Sequence, residues 1–148
     1  MIDPHLAFSL GNMIAMLGWL GLLLSLFVVQ TRIVAWTFAA IAFPLLAGLA
    51  YALLFGQAMA AGGGGGFGSI EQVRTLFANN AALTAGWLHY LAFDLFVGCW
   101  IVREGLDAGV PRLLIIPCLI LTFMVGPVGL LLFLVLRFAA ARRVGLVQ

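Results

Sequence analysis

Four apolar runs make up most of this chain and constrain its fold more than any other feature. They lie at about residues 6–29, 34–58, 82–102 and 113–136. Each run is long enough to cross the hydrocarbon core of a bilayer, which takes roughly 20 residues of α-helix. Because 65% of the 148 residues are hydrophobic and only 8% are charged, we expect an all-α integral membrane bundle of four transmembrane helices. It would form a single polytopic domain over residues 1–148.

The connection between the second and third runs predicts one additional element. Residues 61–68 include five consecutive glycines and should form a flexible extramembrane loop, because polyglycine loses much conformational entropy on ordering. After this loop, Ser69 followed by Gln72 is typical of a helix N-terminus. We therefore expect a short interfacial helix between helices two and three.

The first run predicts a permanent membrane helix rather than a cleaved signal peptide. Asp3 precedes it in place of a basic segment, and its apolar length exceeds the roughly 7–15 residues of a signal-peptide core. Four crossings would put both termini on one side, with four arginines there and three on the other side. The Arg142-Arg143 pair favours cytoplasmic termini under the positive-inside rule, and we expect a bacterial inner membrane protein.

Charge and motif content exclude several classes of function. Seven arginines and no lysine are too few and too scattered for a nucleic-acid surface. Cys99 and Cys118 lie in separate predicted helices without metal-ligand spacing, and we expect both to be small buried hydrophobic residues. The sequence contains no phosphate-loop, dinucleotide or nucleophile-elbow motif. We therefore expect no metal and no cofactor.

The segment GWLHYLAFDLFVG, residues 86–98, places two ionisable side chains in the third run. An ionisable residue at mid-membrane costs roughly 2.5–3.5 kcal/mol on insertion scales, which makes such residues functional candidates. At about 100° per residue, His89 and Asp94 lie about 140° apart around the helix and cannot form a tight pair within it. Tyr90 and Asp94, at positions i and i+4, can touch.

Two interpretations of Asp94 remain open at this point. In the structural one, Asp94 is hydrogen-bonded to Tyr90 or to Asn12, the carboxamide well inside helix one. In the functional one, Asp94 lines a cavity and exchanges a proton. His89 has the same two interpretations, because a single backbone carbonyl can satisfy a histidine.

Three segments of the chain resemble one small membrane family. They are FSLGNMIAMLGWLGLLL near the start, LTAGWLHYLAFDLFVGCWIVREGL across helix three and PCLILTFMVGPVGLLLFLVLR across helix four. Over nearly its whole length the chain is similar to the abscisic-acid-deficient-four-like family, whose plant members are neoxanthin synthases. The resemblance implies a four-helix membrane protein linked to the conversion of violaxanthin to neoxanthin. That reaction is a redox-neutral isomerisation, in which an epoxide opens and a proton leaves the neighbouring polyene carbon.

Such chemistry needs a general acid and a base inside an apolar slot. The resemblance therefore implies that His89 and Asp94 are the catalytic pair. Further residues would orient them or hold the substrate: Asn12, Trp87, Tyr90, Phe93, Phe96, Trp100 and Pro127. Bends at Pro44, Pro117 and Pro127 would shape a long apolar groove. The expected ligand is a carotenoid or another isoprenoid lipid.

Two other functions remain open. One is a non-catalytic carotenoid- or lipid-binding accessory protein of a biosynthetic complex. The other is a small proton-coupled channel or carrier, which would have to be a homo-oligomer because four helices are few for a transporter. In each case we expect contacts with membrane lipids and none with nucleic acid. No plastid transit peptide precedes the first run, so we expect either a bacterial member of the family or a trimmed chain.

Overall fold

A computed structural model describes residues 1–62 and 64–145, the last five of these, 141–145, by their backbone alone. The described residues form helices and their connections, with no strand among them. Three helical segments are long and apolar enough to cross a membrane: Pro4–Phe27, Val29–Ala60 and Asn80–Asp107. The predicted all-α membrane architecture is therefore confirmed for three of the four apolar runs.

The first crossing helix, α1 (Pro4–Phe27), begins with a well-formed N-cap. The side chain of Asp3 accepts a hydrogen bond from the backbone N–H of His5 at 2.9 Å, and Pro4 occupies the first helical position, where its missing N–H costs nothing. After α1, a short 3₁₀ turn at Val29–Thr31 leads into the second crossing segment.

The second crossing segment is not a uniform α-helix. It consists of α2 (Arg32–Thr37), a π-helical stretch (Phe38–Ala42) and α3 (Phe43–Ala60). Pro44 stands directly after the start of α3, and because proline has no amide hydrogen, a carbonyl group in the preceding turn loses its helical donor. The irregularity predicted at Pro44 is present as the π-helical stretch, a feature frequent at functional sites.

The short helix predicted between helices two and three is present as α4 (Ile70–Phe77). The Ser69 side chain accepts a hydrogen bond from the Gln72 N–H at 3.3 Å, and the Gln72 side chain accepts one from the Gly68 N–H at 3.1 Å. These reciprocal bonds satisfy donors at the helix N-terminus. The predicted glycine loop lies between α3 and α4, with Gly63 outside the described residues.

The third crossing helix, α5 (Asn80–Asp107), occupies the centre of the bundle. Glycines on it allow large side chains of other helices to approach closely. A Cβ added at Gly98 would lie 2.6 Å from the indole of Trp19, and one added at Gly105 would lie 2.8 Å from Ile115. Small residues at helix interfaces are the usual means of close packing in membranes.

Hydrogen bonds between distant parts of the chain define the two ends of the bundle. At one end the Ile2 N–H donates to the Gln57 side chain at 3.0 Å, and the Thr84 hydroxyl donates to the Pro4 carbonyl at 3.3 Å. We call this the N-terminal end. The opposite end, called the arginine end, holds the termini of the crossing helices at Phe27, Arg32 and Asp107.

The fourth apolar run does not form one crossing helix. It forms α6 (Arg112–Val125) and α7 (Pro127–Gly145), separated by Gly126. The 14 residues of α6 span about 21 Å at 1.5 Å per residue, which is shorter than the roughly 30 Å hydrocarbon core. Gly126 has a φ of 48°, a left-handed conformation that glycine adopts without steric cost.

The helices α6 and α7 fold back on each other as a helical hairpin. A Cβ added at Gly129 would lie 2.2 Å from the backbone nitrogen of Thr122, whereas a continuous helix would separate these residues by about 10 Å along its axis. Farther along α7, Arg137 forms an ion pair with Glu104, near the arginine end of α5.

The tip of this hairpin lies near the middle of α5. A Cβ added at Gly126 would lie 3.2 Å from Oδ1 of Asp94, whereas Ile115 of α6 and Phe133 of α7 both lie against Gly105. Between Asp94 and Gly105, α5 rises about 16 Å. The hairpin therefore enters the bundle from the arginine end, turns at mid-depth and returns to the same end.

The prediction of one crossing helix over residues 113–136 is therefore not confirmed, because this run is divided between α6 and α7. The side on which the termini lie stays a prediction. The physical reason for the division is the junction at Gly126, where positive φ ends α6 and Pro127 begins a new helix. Pro117, by contrast, stays inside α6. Apolar length alone does not distinguish a crossing helix from a re-entrant hairpin that is buried in protein.

Gly129→Ala tests the packing of the hairpin. The added methyl group would meet the backbone of Thr122, which cannot swing aside as a side-chain tip can. We expect a loss of about 1–3 kcal/mol, the usual cost of overpacking, measured as a lower thermal unfolding midpoint in detergent. Gly56→Ala is the matched control, since a Cβ there meets nothing within 4 Å. Equal midpoints for the two variants would contradict the hairpin.

Candidate functional site

A cavity between α3 and α5, with a volume of about 540 Å³, contains His89. Nine residues line it, and three of them are alanines. The other six are Pro44, Gly48 and Tyr51 from α3, and His89, Phe93 and Phe96 from α5. We call this cavity the His89 groove. Its walls are apolar except for the Tyr51 hydroxyl and the His89 imidazole, a composition typical of ligand sites.

Helical spacing explains why these residues face one another. In α5, the lining residues at positions i, i+4 and i+7 are His89, Phe93 and Phe96. In α3, the residues at the same spacing are Pro44, Gly48 and Tyr51. The site predicted from the sequence includes His89, Phe93 and Phe96 but not Tyr51. Its spacing from Pro44 was the signal that would have found it.

Five rings form a continuous series along the groove and beyond it: Phe67, Phe55, Tyr51, His89 and Phe93. Successive ring centroids are 6.3, 5.6, 5.9 and 4.4 Å apart. The series starts in the loop before α4 and ends near the middle of α5. Stacked flat rings of this kind present a long apolar surface that suits an extended, conjugated ligand.

The two polar groups of the groove have unfilled hydrogen-bonding capacity. No hydrogen bond of the Tyr51 hydroxyl or of the His89 imidazole is found among the side chains and backbone that the structure describes. Tyr51 is half-buried, whereas His89 is exposed at the open side of the groove. A phenol carries one donor, and a neutral imidazole carries one donor and one acceptor. Both groups are therefore free to bind polar atoms of a ligand.

A second cavity, of about 280 Å³, continues from the His89 groove towards the arginine end. The two cavities share Ala40 and Phe96. The second one is also lined by Trp100, Arg103 and Asp107. Along α5, the distance from the His89 level to the Arg103 level is about 21 Å. The apolar His89 groove therefore adjoins a cavity that is lined by charged side chains.

Asp94 lies on a different side of α5 and faces the tip of the hairpin. Its Oδ1 is the nearest atom to a Cβ added at Gly126, at 3.2 Å. The Tyr90 hydroxyl donates to the Phe123 carbonyl at 3.4 Å and lies within hydrogen-bonding reach of the Asp94 carboxyl group. The predicted i, i+4 contact is therefore present. The Oδ2 atom of Asp94 is buried without a hydrogen-bond partner among the described residues.

The structure does not bring His89 and Asp94 into one cavity. His89 lines the groove beside α3, and Asp94 is not among its lining residues. The separation of about 140° that follows from their spacing leaves the body of α5 between them. The interpretation in which they act on opposite ends of one reacting unit does not fit this geometry.

Asn12 and Trp87 form a separate polar contact between α1 and α5. The indole N–H of Trp87 donates to Oδ1 of Asn12 at 3.1 Å, and the Asn12 amide donates to the Phe8 carbonyl at 2.7 Å. The Trp87 ring also contacts Tyr90, with 5.2 Å between centroids. The interpretation in which Asn12 bonds to Asp94 is therefore wrong.

Trp100 of α5 contacts the hairpin, and Pro127 belongs to it. The Trp100 ring packs edge-on against Phe133, with 5.3 Å between centroids, and Pro127 is the first residue of α7. Neither residue lines the His89 groove. Of the residues predicted to hold a polyene, Phe93 and Phe96 are the ones that do line it.

No group of three or more His, Cys, Asp or Glu side chains that could hold a metal ion is found in the described part of the chain. Cys99 and Cys118 are both buried and form no disulfide with each other. They are small residues of the interior, as expected.

Comparison with known proteins identifies the family. Residues 6–133 match the family model described as ABA DEFICIENT 4-like. No protein of curated function and no solved structure matched the chain. The matched region contains the His89 groove, the Asp94 contacts, the first two segments that carry the resemblance and the third as far as residue 133. The chain belongs to the ABA DEFICIENT 4-like family.

Proposed function

We propose that this chain binds a carotenoid or related isoprenoid lipid in the His89 groove and isomerises it by redox-neutral acid–base chemistry. One observation carries the proposal: an apolar slot walled by aromatic rings presents an imidazole without a hydrogen-bond partner among the described residues. Membership of the ABA DEFICIENT 4-like family and the resemblance to plant neoxanthin synthases support the choice of substrate class.

The isomerisation conserves all atoms and needs no oxidant or reductant. An epoxide C–O bond breaks, its oxygen gains a proton, and the neighbouring polyene carbon loses one, which gives an allenic alcohol. Imidazole is the side chain used most often as a general base. His89 would accept the proton that leaves carbon, while the stacked ring of Phe93, 4.4 Å away between centroids, would hold the polyene against it.

In this proposal, Asp94 would stabilise the hairpin. A carboxylate near a helix N-terminus is stabilised by the helix dipole, and Asp94 lies against Gly126, which directly precedes α7. This interaction and the contact with Tyr90 would offset part of the insertion cost of roughly 2.5–3.5 kcal/mol.

His89→Ala tests the catalytic proposal. The protein is purified in mild detergent from a carotenoid-producing host, and its bound lipid is extracted and analysed by chromatography and mass spectrometry. We expect the wild type to carry an isomerised polyene and His89→Ala to carry the unconverted isomer, because the base is missing. His5→Ala is the control, since His5 is the other of the two histidines and does not line the groove.

The same analysis of Asp94→Asn tests whether the isomerisation takes place in the His89 groove or at the hairpin tip. A change of isomer in Asp94→Asn and none in His89→Ala would move the reaction to the hairpin tip and refute our assignment. No bound polyene in any variant would refute the substrate class.

A binding protein without catalysis is the second candidate. The openness of the groove favours it, because Phe93 is 59% exposed and Phe96 is 48% exposed, whereas acid–base catalysis benefits from exclusion of solvent. In that case the protein would carry the same polyene isomer in the wild type and in His89→Ala.

We also propose that the arginine end faces the cytoplasm of a bacterial inner membrane. The hairpin brings six of the seven arginines to this end: Arg32, Arg103, Arg112, Arg137, Arg142 and Arg143. Arg74 remains at the N-terminal end. A ratio of six to one is a strong signal under the positive-inside rule. The N-terminus would then face the periplasm, opposite to the expectation from four crossings.

Cysteine labelling in intact cells tests this orientation. Cys99 and Cys118 are replaced by alanine, and one new cysteine is introduced as Glu71→Cys or as Gln148→Cys. A membrane-impermeant maleimide should label the Glu71→Cys protein in intact cells and the Gln148→Cys protein only after lysis. Labelling of both proteins from the same side would contradict the re-entrant hairpin.

A further inference from the structure

We infer that Tyr51 is the second proton-handling group of the His89 groove and the donor that recognises an oxygen atom of the ligand. The inference rests on the proposed function. It assigns to Tyr51 the general-acid role that Asp94 cannot fill from the other side of α5.

Tyr51 and His89 stand on opposite walls of the groove. Tyr51 comes from α3 and His89 from α5, and both line the same cavity. Their ring centroids are 5.9 Å apart, with an interplanar angle of 48°. A single short segment of a bound chain would therefore contact both rings at once, which the pair of His89 and Asp94 does not allow.

Packing fixes the orientation of the Tyr51 ring. It stacks on Phe55, one helical turn away in α3, with 5.6 Å between centroids and only 7° between planes. A tyrosine ring in apolar surroundings usually directs its hydroxyl to a hydrogen-bond partner. Here no partner is found among the described residues. Because packing holds the Tyr51 ring and its O–H group has no partner in the described part of the chain, we expect the ligand to carry a hydrogen-bond acceptor.

The wall around Pro44 adds no donor to the groove. Pro44 lines the groove and has no amide hydrogen. The remaining lining side chains are hydrocarbon. Donation to a ligand oxygen must therefore come from Tyr51 or His89, and a histidine that acts as a base has to keep one nitrogen free.

The two groups complete a balanced reaction on an epoxide-bearing polyene. The Tyr51 O–H proton moves to the epoxide oxygen as the C–O bond breaks, and the electron pair of that bond stays on oxygen. A nitrogen of His89 accepts the proton from the neighbouring polyene carbon, and the C–H electron pair forms the new cumulated double bond. Transfer of this proton from His89 to the Tyr51 phenolate restores both residues, so no co-reactant is consumed.

The test compares two polyenes that differ by one oxygen atom. The full chain in lipid nanodiscs is titrated with β-carotene and with β-carotene 5,6-epoxide, and bound polyene is measured by its absorbance. We expect the wild type to prefer the epoxide by about 3- to 10-fold, the effect of one net hydrogen bond. Tyr51→Phe keeps the ring and its stack but should lose most of this preference.

Thr37→Val is the matched control. It also removes one hydroxyl from the second crossing segment, but Thr37 is exposed and does not line the groove, so the preference for the epoxide should stay. Thermal unfolding midpoints establish that each variant is folded.

The outcomes separate this inference from the proposed function. If the wild type and Tyr51→Phe bind both polyenes with the same preference, the assignment of Tyr51 is overturned while the groove remains a polyene site. If neither polyene binds, or if Phe93→Ala leaves binding of both unchanged, the proposed function is overturned, and the role of Tyr51 with it.

Discussion

Close helix contact at the glycines of α5 is the interaction on which the rest of the structure depends. Lipid chains are as apolar as the helix faces, so these helices are held together by van der Waals packing rather than by the hydrophobic effect. Gly98 admits the indole of Trp19, and Gly105 admits Ile115 and Phe133. These contacts turn one face of α5 towards α1 and the hairpin, and they leave the His89 face to α3.

Hydrogen bonding inside the bundle is mostly local. The hydroxyls of Ser25 and Thr122 donate to backbone carbonyls one turn earlier in their own helices. Bonds between helices also occur, as between Trp87 and Asn12. Three polar groups have no partner among the described residues: the half-buried Tyr51 hydroxyl, the exposed His89 imidazole and the buried Oδ2 of Asp94. Unsatisfied polar groups are costly in lipid. Two of the three share one apolar groove, which is why the proposals centre there.

Helical periodicity predicted which residues share a face of α5. It did not predict which residues of other helices lie opposite that face. The stack of His89 on Phe93 and the contact of Tyr90 with Asp94 both follow from spacing along one helix. Partners from other helices did not follow from it. The Trp87 indole donates a hydrogen bond to the side-chain oxygen of Asn12, and Tyr51 of α3 lies opposite His89. These pairs form because packing across the interface sets the rotation of each helix.

The sequence by itself determined the membrane class and the three crossing helices, since an uninterrupted apolar run of this length has lipid as its stable environment. Only the tertiary structure decided the path of the fourth run. Hydropathy measures how favourably residues enter lipid and carries no information about chain direction. The direction is set by the positive φ of Gly126 and by the contact between Gly129 and Thr122, which together turn the chain back at mid-depth.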